Sequence, residues 1–266
     1  MDKPISNLNA FNMDTFKILT MKHFIDAHAH IDRFLNPDGI VEETKRLGGI
    51  AIVSSGYDHE ANQTTMLVAR RYRGFVFPAI GLAPTVVMDL DDAEFERQFE
   101  FIKGTINDCV AMGEIGLDFY WPTKQEQIDN QYKFFKRQLD FALDSNIPVV
   151  IHSRKAEKEA IEFLKERGAE KVLLHYFSGS PELANIAADE GYFFTVPPVK
   201  SRTRRKLVEE MPIEHIMIES DSPYVSNHPS SVLYAAQFIA DAKGISIEEV
   251  LKSTTENAKR FFGLRL

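Results

Sequence analysis

Eight short apolar runs, recurring along a chain of 266 residues, constrain the fold more than any other feature. They lie at 24–27 (FIDA), 49–54 (GIAIVS), 75–80 (FVFPAI), 108–114 (DCVAMGE), 147–151 (IPVVI), 171–176 (KVLLHY), 191–196 (GYFFTV) and 215–219 (HIMIE). Near-continuous runs of branched and aromatic residues suit strands buried on both faces, as in a parallel sheet covered by helices. The segments between them carry helical periodicity, near 39–47, 60–72, 91–103, 125–145, 155–167, 180–189, 201–210 and 229–242, and a ninth pattern near 246–262 closes the chain. Ser180-Pro181 marks a helix start and Gly168 a helix end. Eight strand–helix repeats predict a (β/α)₈ TIM barrel, with an open doubly wound sheet as the alternative topology.

This length suits one large domain, and 44% hydrophobic residues are enough for a sizeable core. Residues 1–20 are polar and weakly patterned, so the barrel is expected over 21–266, preceded by an N-terminal extension. Translation could begin at Met1 or at Met21, which stands just ahead of the first strand. The net charge of −8 argues against extensive tracking along a polyanion but leaves room for contact with the end of a strand. Cys109, the single cysteine, excludes an intramolecular disulfide and reads as core filler. No run approaches the roughly 18 apolar residues of a membrane span, and the first residues lack the apolar block of a signal peptide. A cytoplasmic protein is expected.

The residues that bear chemistry fall at the ends of the predicted strands. His28 and His30 follow the first, Glu114 ends the fourth, His152 the fifth and His175 the sixth, and Asp221 follows the eighth. In a barrel all carboxyl ends open on one face, where active sites form. An H-x-H pair on extended chain points both imidazoles to one side. Imidazole with carboxylate suits Zn²⁺ or Mn²⁺, and Mg²⁺ if waters complete the shell. Alone, His152 could cap a strand and Asp221 a turn. Glu114 in an apolar strand is harder to explain without a cation, because an unpartnered buried carboxylate is costly. Asp221 is expected to serve as ligand and in proton transfer.

His23, His59 and His215 read as structural or solvated, whereas His228 lies in a loop on the active face and is a candidate substrate contact. Residues 200–206 place five basic side chains just after the seventh strand, with Lys200 and Arg202 the candidate phosphate contacts. Arg154, beside His152, adds a cation. Phe119, Tyr120 and Trp121 follow the fourth strand and could stack on a base or pack over the rim.

At these residues the chain resembles the TatD family of metal-dependent hydrolases, among the amidohydrolase-like barrels. The likeness spans 24–264 and includes FIDAHAHID at 24–32, GEIGLD at 113–118 and IHSR at 151–154. It continues through HYFSG at 175–179, ESDSPY at 219–224 and TTENAKRFFGL at 254–264. The resemblance implies two divalent ions. His28, His30 and Asp221 would hold one, His152 and His175 the other, and Glu114 would bridge them. It further implies phosphodiester hydrolysis, including removal of nucleotides from DNA 3′ ends, with Asp221 orienting the attacking water and accepting its proton. DNA ends or small phosphodiesters would be the partners. Two segments depart from the family pattern. Ala83 stands where a G-x-H-P segment has histidine, and Ser226-Asn227-His228-Pro229 replaces R-N-E-P. Two other readings follow from an altered substrate set beside an intact metal set: an amidohydrolase or lactonase acting on a carbonyl, and a non-catalytic metal-binding relative. No barrel lysine of the carboxylated type is apparent, which favours the phosphodiester reading over the carbonyl one.

Overall fold

Strands β1 (Phe24–Ala29), β2 (Gly49–Ser55), β3 (Val76–Ile80), β4 (Ala111–Asp118), β5 (Val149–Arg154), β6 (Val172–Leu174), β7 (Phe193–Val196) and β8 (Ile216–Ile218) form one parallel sheet in chain order. They belong to a computed structural model that describes residues 23–266, so the proposed extension and the choice of start codon lie outside the described residues. The sheet closes on itself beyond β8. His30 N donates to Ser222 O at 2.8 Å, and Asp221 N donates to His28 O at 3.0 Å. This closure decides for the barrel over the open sheet.

The two faces of the strands are told apart by their packing. Val149 and Ile151 join a large cluster built with the helices, whereas Val150 joins a smaller one. The smaller cluster, with the residues packed on it, draws on every strand, from Ile25 and Val53 to Leu173, Phe193 and Met217. Only the interior of a closed barrel allows that. Phe261 and Phe262, from the last helix (Ile247–Phe262), pack on this inner cluster. Because side chains alternate along a strand, His152 follows Val150 inward, His175 follows Leu173, and Glu219 and Asp221 follow Met217. The inner face thus turns from apolar to polar toward the carboxyl ends.

Strand four differs from its expected span of 108–114 and runs to Asp118. The glycines of GEIGLD are what lets the strand continue. A Cβ at Gly113 would lie 2.6 Å from Val150 Cβ, and one at Gly116 only 2.1 Å from His152 O. Gly116 also adopts φ +137°, a conformation other residues rarely enter. The close approach brings Glu114 and His152 to one face, at a shift in the β4–β5 register between Met112 and Ile115.

Candidate metal centre

Six side chains converge at the mouth of the barrel. His28 is fully buried, and His30, Glu114, His175 and Asp221 are nearly so; His152 keeps 22% of its side-chain surface. The two oxygens of Glu114 divide the histidines between them. Oε1 lies 3.2 Å from both His28 Nε2 and His30 Nε2, while Oε2 lies 3.4 Å from His152 Nδ1 and 3.6 Å from His175 Nε2. Asp221 Oδ1 is 3.3 Å from His30 Nε2 and 3.8 Å from His28 Nε2. Asp221 adopts φ +45°, tolerable for aspartate, in the loop that closes the sheet.

Outer partners fix which ring nitrogen faces inward. Ser55 O, which can only accept, sits 2.7 Å from His30 Nδ1, so that nitrogen carries the proton and Nε2 presents its lone pair. Asp118 Oδ2 takes His152 Nε2 at 2.8 Å, and Glu219 Oε2 takes His175 Nδ1 at 3.2 Å. Ser55 Oγ lies 3.2 Å from His28 Nδ1. At least three imidazoles therefore aim a lone pair at carboxylate oxygen. Such an arrangement is stable only with a cation between the donors, either extra protons or a metal ion.

The metal fits. For donor-to-ion distances of about 2.0–2.2 Å, the donors of a tetrahedral shell stand about 3.4 Å apart, the separation found here. Ligand atoms of His28, His30 and Asp221 all lie within 4.8 Å of one another, as do those of His28, Glu114 and His175. His28 thus stands near both groups, with its ring stacked on His175 at 4.0 Å between centroids.

Proton affinities report the same field. Burial opposes charge on His30, but the Asp221 hydrogen bond and the negative charges of Glu114 and Asp221 prevail and push it up to about 9. His152 likewise overcomes burial through Asp118 and Glu114 and reaches about 9. His175 is also raised, burial being outweighed chiefly by Glu219 and Glu114. His28 goes the other way, lowered by burial and by the neighbouring His175. Glu114 falls well below the usual carboxylate range because His175, His152 and His28 outweigh its burial. Groups raised in the folded state stabilise it below pH 6.5 and lose that contribution as pH rises through their folded value. Metal-free protein is therefore expected to lose melting temperature between pH 6.5 and 9, whereas His28, lowered in the folded state, changes its contribution only below pH 6.5. Metal-loaded protein is expected to hold steady over that window, because bound metal takes the place of the protons. Paired thermal melts with and without chelator check this.

Asp118, Glu219 and Ser55, which lie against the donor rings, are residues that the sequence reading left unassigned, although GEIGLD and ESDSPY contain the first two. For the two acids the signal was a carboxylate one or two strand periods from a ligand, Glu219 from Asp221 and Asp118 from Glu114. Asp26 is a further case: it accepts from Ser220 N at 2.9 Å and His28 N at 3.3 Å, and also bonds Ser220 Oγ, tying β1 to the Asp221 loop. Removing an outer carboxylate while keeping its shape, as in Asp118→Asn, is expected to weaken metal binding about 10- to 100-fold. A competition titration against a chromogenic chelator measures it.

The expected substrate contacts are placed less tightly. Arg154 leaves the end of β5 exposed, its guanidinium carbon 3.8 Å from the Tyr120 ring centroid. Lys200 and Arg202 are exposed, without an ion pair among the described residues, while Arg204 of the same cluster turns inward over Tyr176. His228 is half-buried; its Nδ1 accepts from Ser230 N at 3.1 Å, capping the turn Pro229–Ser231. Ala83 is buried and donates its backbone N–H to Tyr57 O at 2.9 Å. Of the remaining histidines, His23 is exposed and His215 bonds Tyr192 O at 2.7 Å. His59 lies 3.3 Å from Gln63 on the first turn of its helix.

Known proteins align with this architecture over nearly the whole chain. The family described as TatD related DNase matches residues 25–263. The human protein named deoxyribonuclease TATDN3 is 35% identical over 259 residues, covering 90% of this chain and 94% of its own length. A Bacillus subtilis protein described as the uncharacterized metal-dependent hydrolase YabD is 32% identical, covering 89% of this chain and 98% of its own. Among solved structures, a TatD homologue from Escherichia coli (YJJV) superposes with a TM-score of 0.80 at 22% identity, covering 91% and 98% of the two chains. The match in sequence, on a barrel with these donors at its strand ends, places the chain in the TatD family of metal-dependent hydrolases.

Proposed function

We propose that this protein hydrolyses phosphodiester bonds in DNA, acting at strand ends, through a centre of two divalent ions. The observation that carries the reading is the division of Glu114, one oxygen to His28 and His30 and the other to His152 and His175. In this reading His28, His30 and Asp221 hold one ion, His152 and His175 the other, and Glu114 joins them. A histidine-rich set with two carboxylates favours Zn²⁺ or Mn²⁺ over Mg²⁺. Ions so placed supply Lewis acidity toward the attacking water and the leaving oxygen.

The chain's own groups supply the rest. Burial works against charge on Asp221, but His30, His175 and His28 prevail and hold its carboxyl below the ordinary range. It is therefore ionised near neutrality, able to orient a water and take up its proton. Arg154, Lys200 and Arg202 supply positive charge for a phosphate backbone on a protein whose net charge is −8. His228 stays a proposed contact at this mouth, although its Nδ1 is committed to Ser230 and its Nε2 is buried. Glu114 in the joining position favours the phosphodiester reading over an amide- or lactone-hydrolysing one.

The test is hydrolysis of end-labelled single-stranded DNA and bis-p-nitrophenyl phosphate by metal-loaded protein, beside a panel of amides and lactones. Turnover confined to the carbonyl substrates sinks the proposal, and no turnover of any substrate favours a non-catalytic metal-binding protein. Ala83→His asks whether the missing imidazole limits the rate. An increase is expected on DNA, and an unchanged rate makes the departure neutral.

A further inference from the structure

Arg204 is the only buried lysine or arginine among the described residues, with 5% of its surface exposed. No carboxylate among those residues pairs with it. Its Nη1 donates to Phe177 O at a long 3.4 Å, and its Nε is buried without an acceptor. The Tyr176 ring, 4.8 Å from the guanidinium carbon, gives a cation–π contact but brings no negative charge. A buried cation without a counter-charge is costly, so its setting calls for an anion.

Arg204 is the third residue of the helix Arg202–Glu210, whose first turn contains no acid. Ser201 caps that turn, its Oγ accepting from Arg204 N at 3.1 Å. The N–H groups of Arg202 and Thr203 have no acceptor within the helix, as at any helix start. Side chains lean toward the N-terminus of their own helix. The guanidinium of Arg204 therefore lies back beside those two groups, against the loop after β6 that carries Tyr176 and Phe177. Lys200 and Arg202 stand exposed at the same turn, without an ion pair among the described residues. Cations at the positive end of a helix are opposed by its dipole and by one another. One anion at this turn would relieve both costs.

We propose that this first turn and Arg204 form a site for a phosphate dianion, apart from the six donors and independent of the phosphodiester reading. The N–H groups of Arg202 and Thr203 hold its oxygens, Arg204 supplies the buried charge, and Lys200 and Arg202 cover it from solvent. Three cations with a helix start suit the double charge of orthophosphate or a phosphomonoester better than the single charge of an internal diester. The dianion can arrive free or on the end of a strand, and the same contacts serve both.

Orthophosphate is titrated calorimetrically into metal-free protein kept in chelator, with chloride matching the ionic strength. Saturable binding is expected, with a melting temperature that rises with phosphate. Arg204→Met keeps the bulk of the side chain and removes its charge, and is expected to weaken binding at least about 10-fold. Without phosphate this variant should melt no lower than wild type, because it relieves a charge that lacks a partner. General stabilisation by phosphate, and any binding to the histidines of the centre, persist in the variant and are subtracted by it. Arg202→Pro removes an N–H that the helix does not use, at a position that tolerates proline. It should weaken binding further than Arg202→Met.

The source is read from hexathymidylate carrying a 5′ phosphate, a 3′ phosphate or neither, again in chelator. Tighter binding of one phosphorylated form, lost in Arg204→Met, assigns the site to strand ends. Equal binding of all three, beside saturable orthophosphate binding, assigns it to the free dianion. Absence of orthophosphate binding, or an affinity unchanged in Arg204→Met, would overturn the proposal: the guanidinium then only braces the loop after β6. If Arg204→Met does not fold, the Arg202 pair decides, and affinities equal to wild type overturn the site. None of these titrations needs turnover, so failure of the phosphodiester reading would leave their outcome untouched.

Discussion

Asp221→Asn is expected to lower kcat on a phosphodiester about 10²- to 10⁴-fold, the range for loss of a positioned proton acceptor. The substitution keeps the shape of the side chain and the backbone bond from Asp221 N to His28 O that closes the sheet. The fold should therefore survive, as read by an unchanged circular dichroism spectrum. The amide can still offer an oxygen toward His30 and His28, but it cannot take a proton. Loss of rate with metal content largely retained separates the proton-accepting role from a purely ligating one. Full activity in the variant refutes Asp221 as the base.

Glu114→Gln should act earlier in the sequence of events, on the metal itself. One carboxylate faces four imidazoles at 3.2 to 3.6 Å, and its replacement leaves a neutral amide with a single acceptor oxygen. That oxygen can serve one side of the centre only, and the amide nitrogen presents hydrogens to the lone pairs on the other. Affinity for at least one ion is expected to fall by more than the roughly 10- to 100-fold typical of an outer partner, and turnover should fall with it. Elemental analysis after dialysis decides the matter. A variant that keeps the wild-type metal content would show that Glu114 does not join the two halves.

Much of this could be read from sequence for a local reason. The eight apolar runs name the strands because a strand buried on both faces must be apolar nearly throughout. His28, His30, Glu114, His152, His175 and Asp221 stood out because polar side chains at the ends of such strands need a purpose. Strand four was read as ending at Glu114, whereas it runs to Asp118. Here Gly113 and Gly116 are required by the approach of Val150 and of His152 O, contacts invisible until β4 and β5 lie side by side.

The outer acids were harder to see. Asp118 and Glu219 are ordinary charged residues along the chain, and their roles come only from distances of 2.8 and 3.2 Å to rings that lie 34 and 44 residues away. Asp26 gains its place from Ser220, 194 residues on. Arg204 gains its setting in the same way, against Phe177 in a loop 27 residues earlier.

The sequence by itself marked the eight strands, the six candidate donors and the face on which they would meet, because side-chain alternation and strand polarity are properties of the chain. Tertiary structure alone decided how Glu114 apportions its oxygens, which nitrogen of His30, His152 and His175 points inward, and where Arg204 lies relative to the loop after β6. Those depend on angles and distances between strands distant in the chain, and no local pattern encodes them.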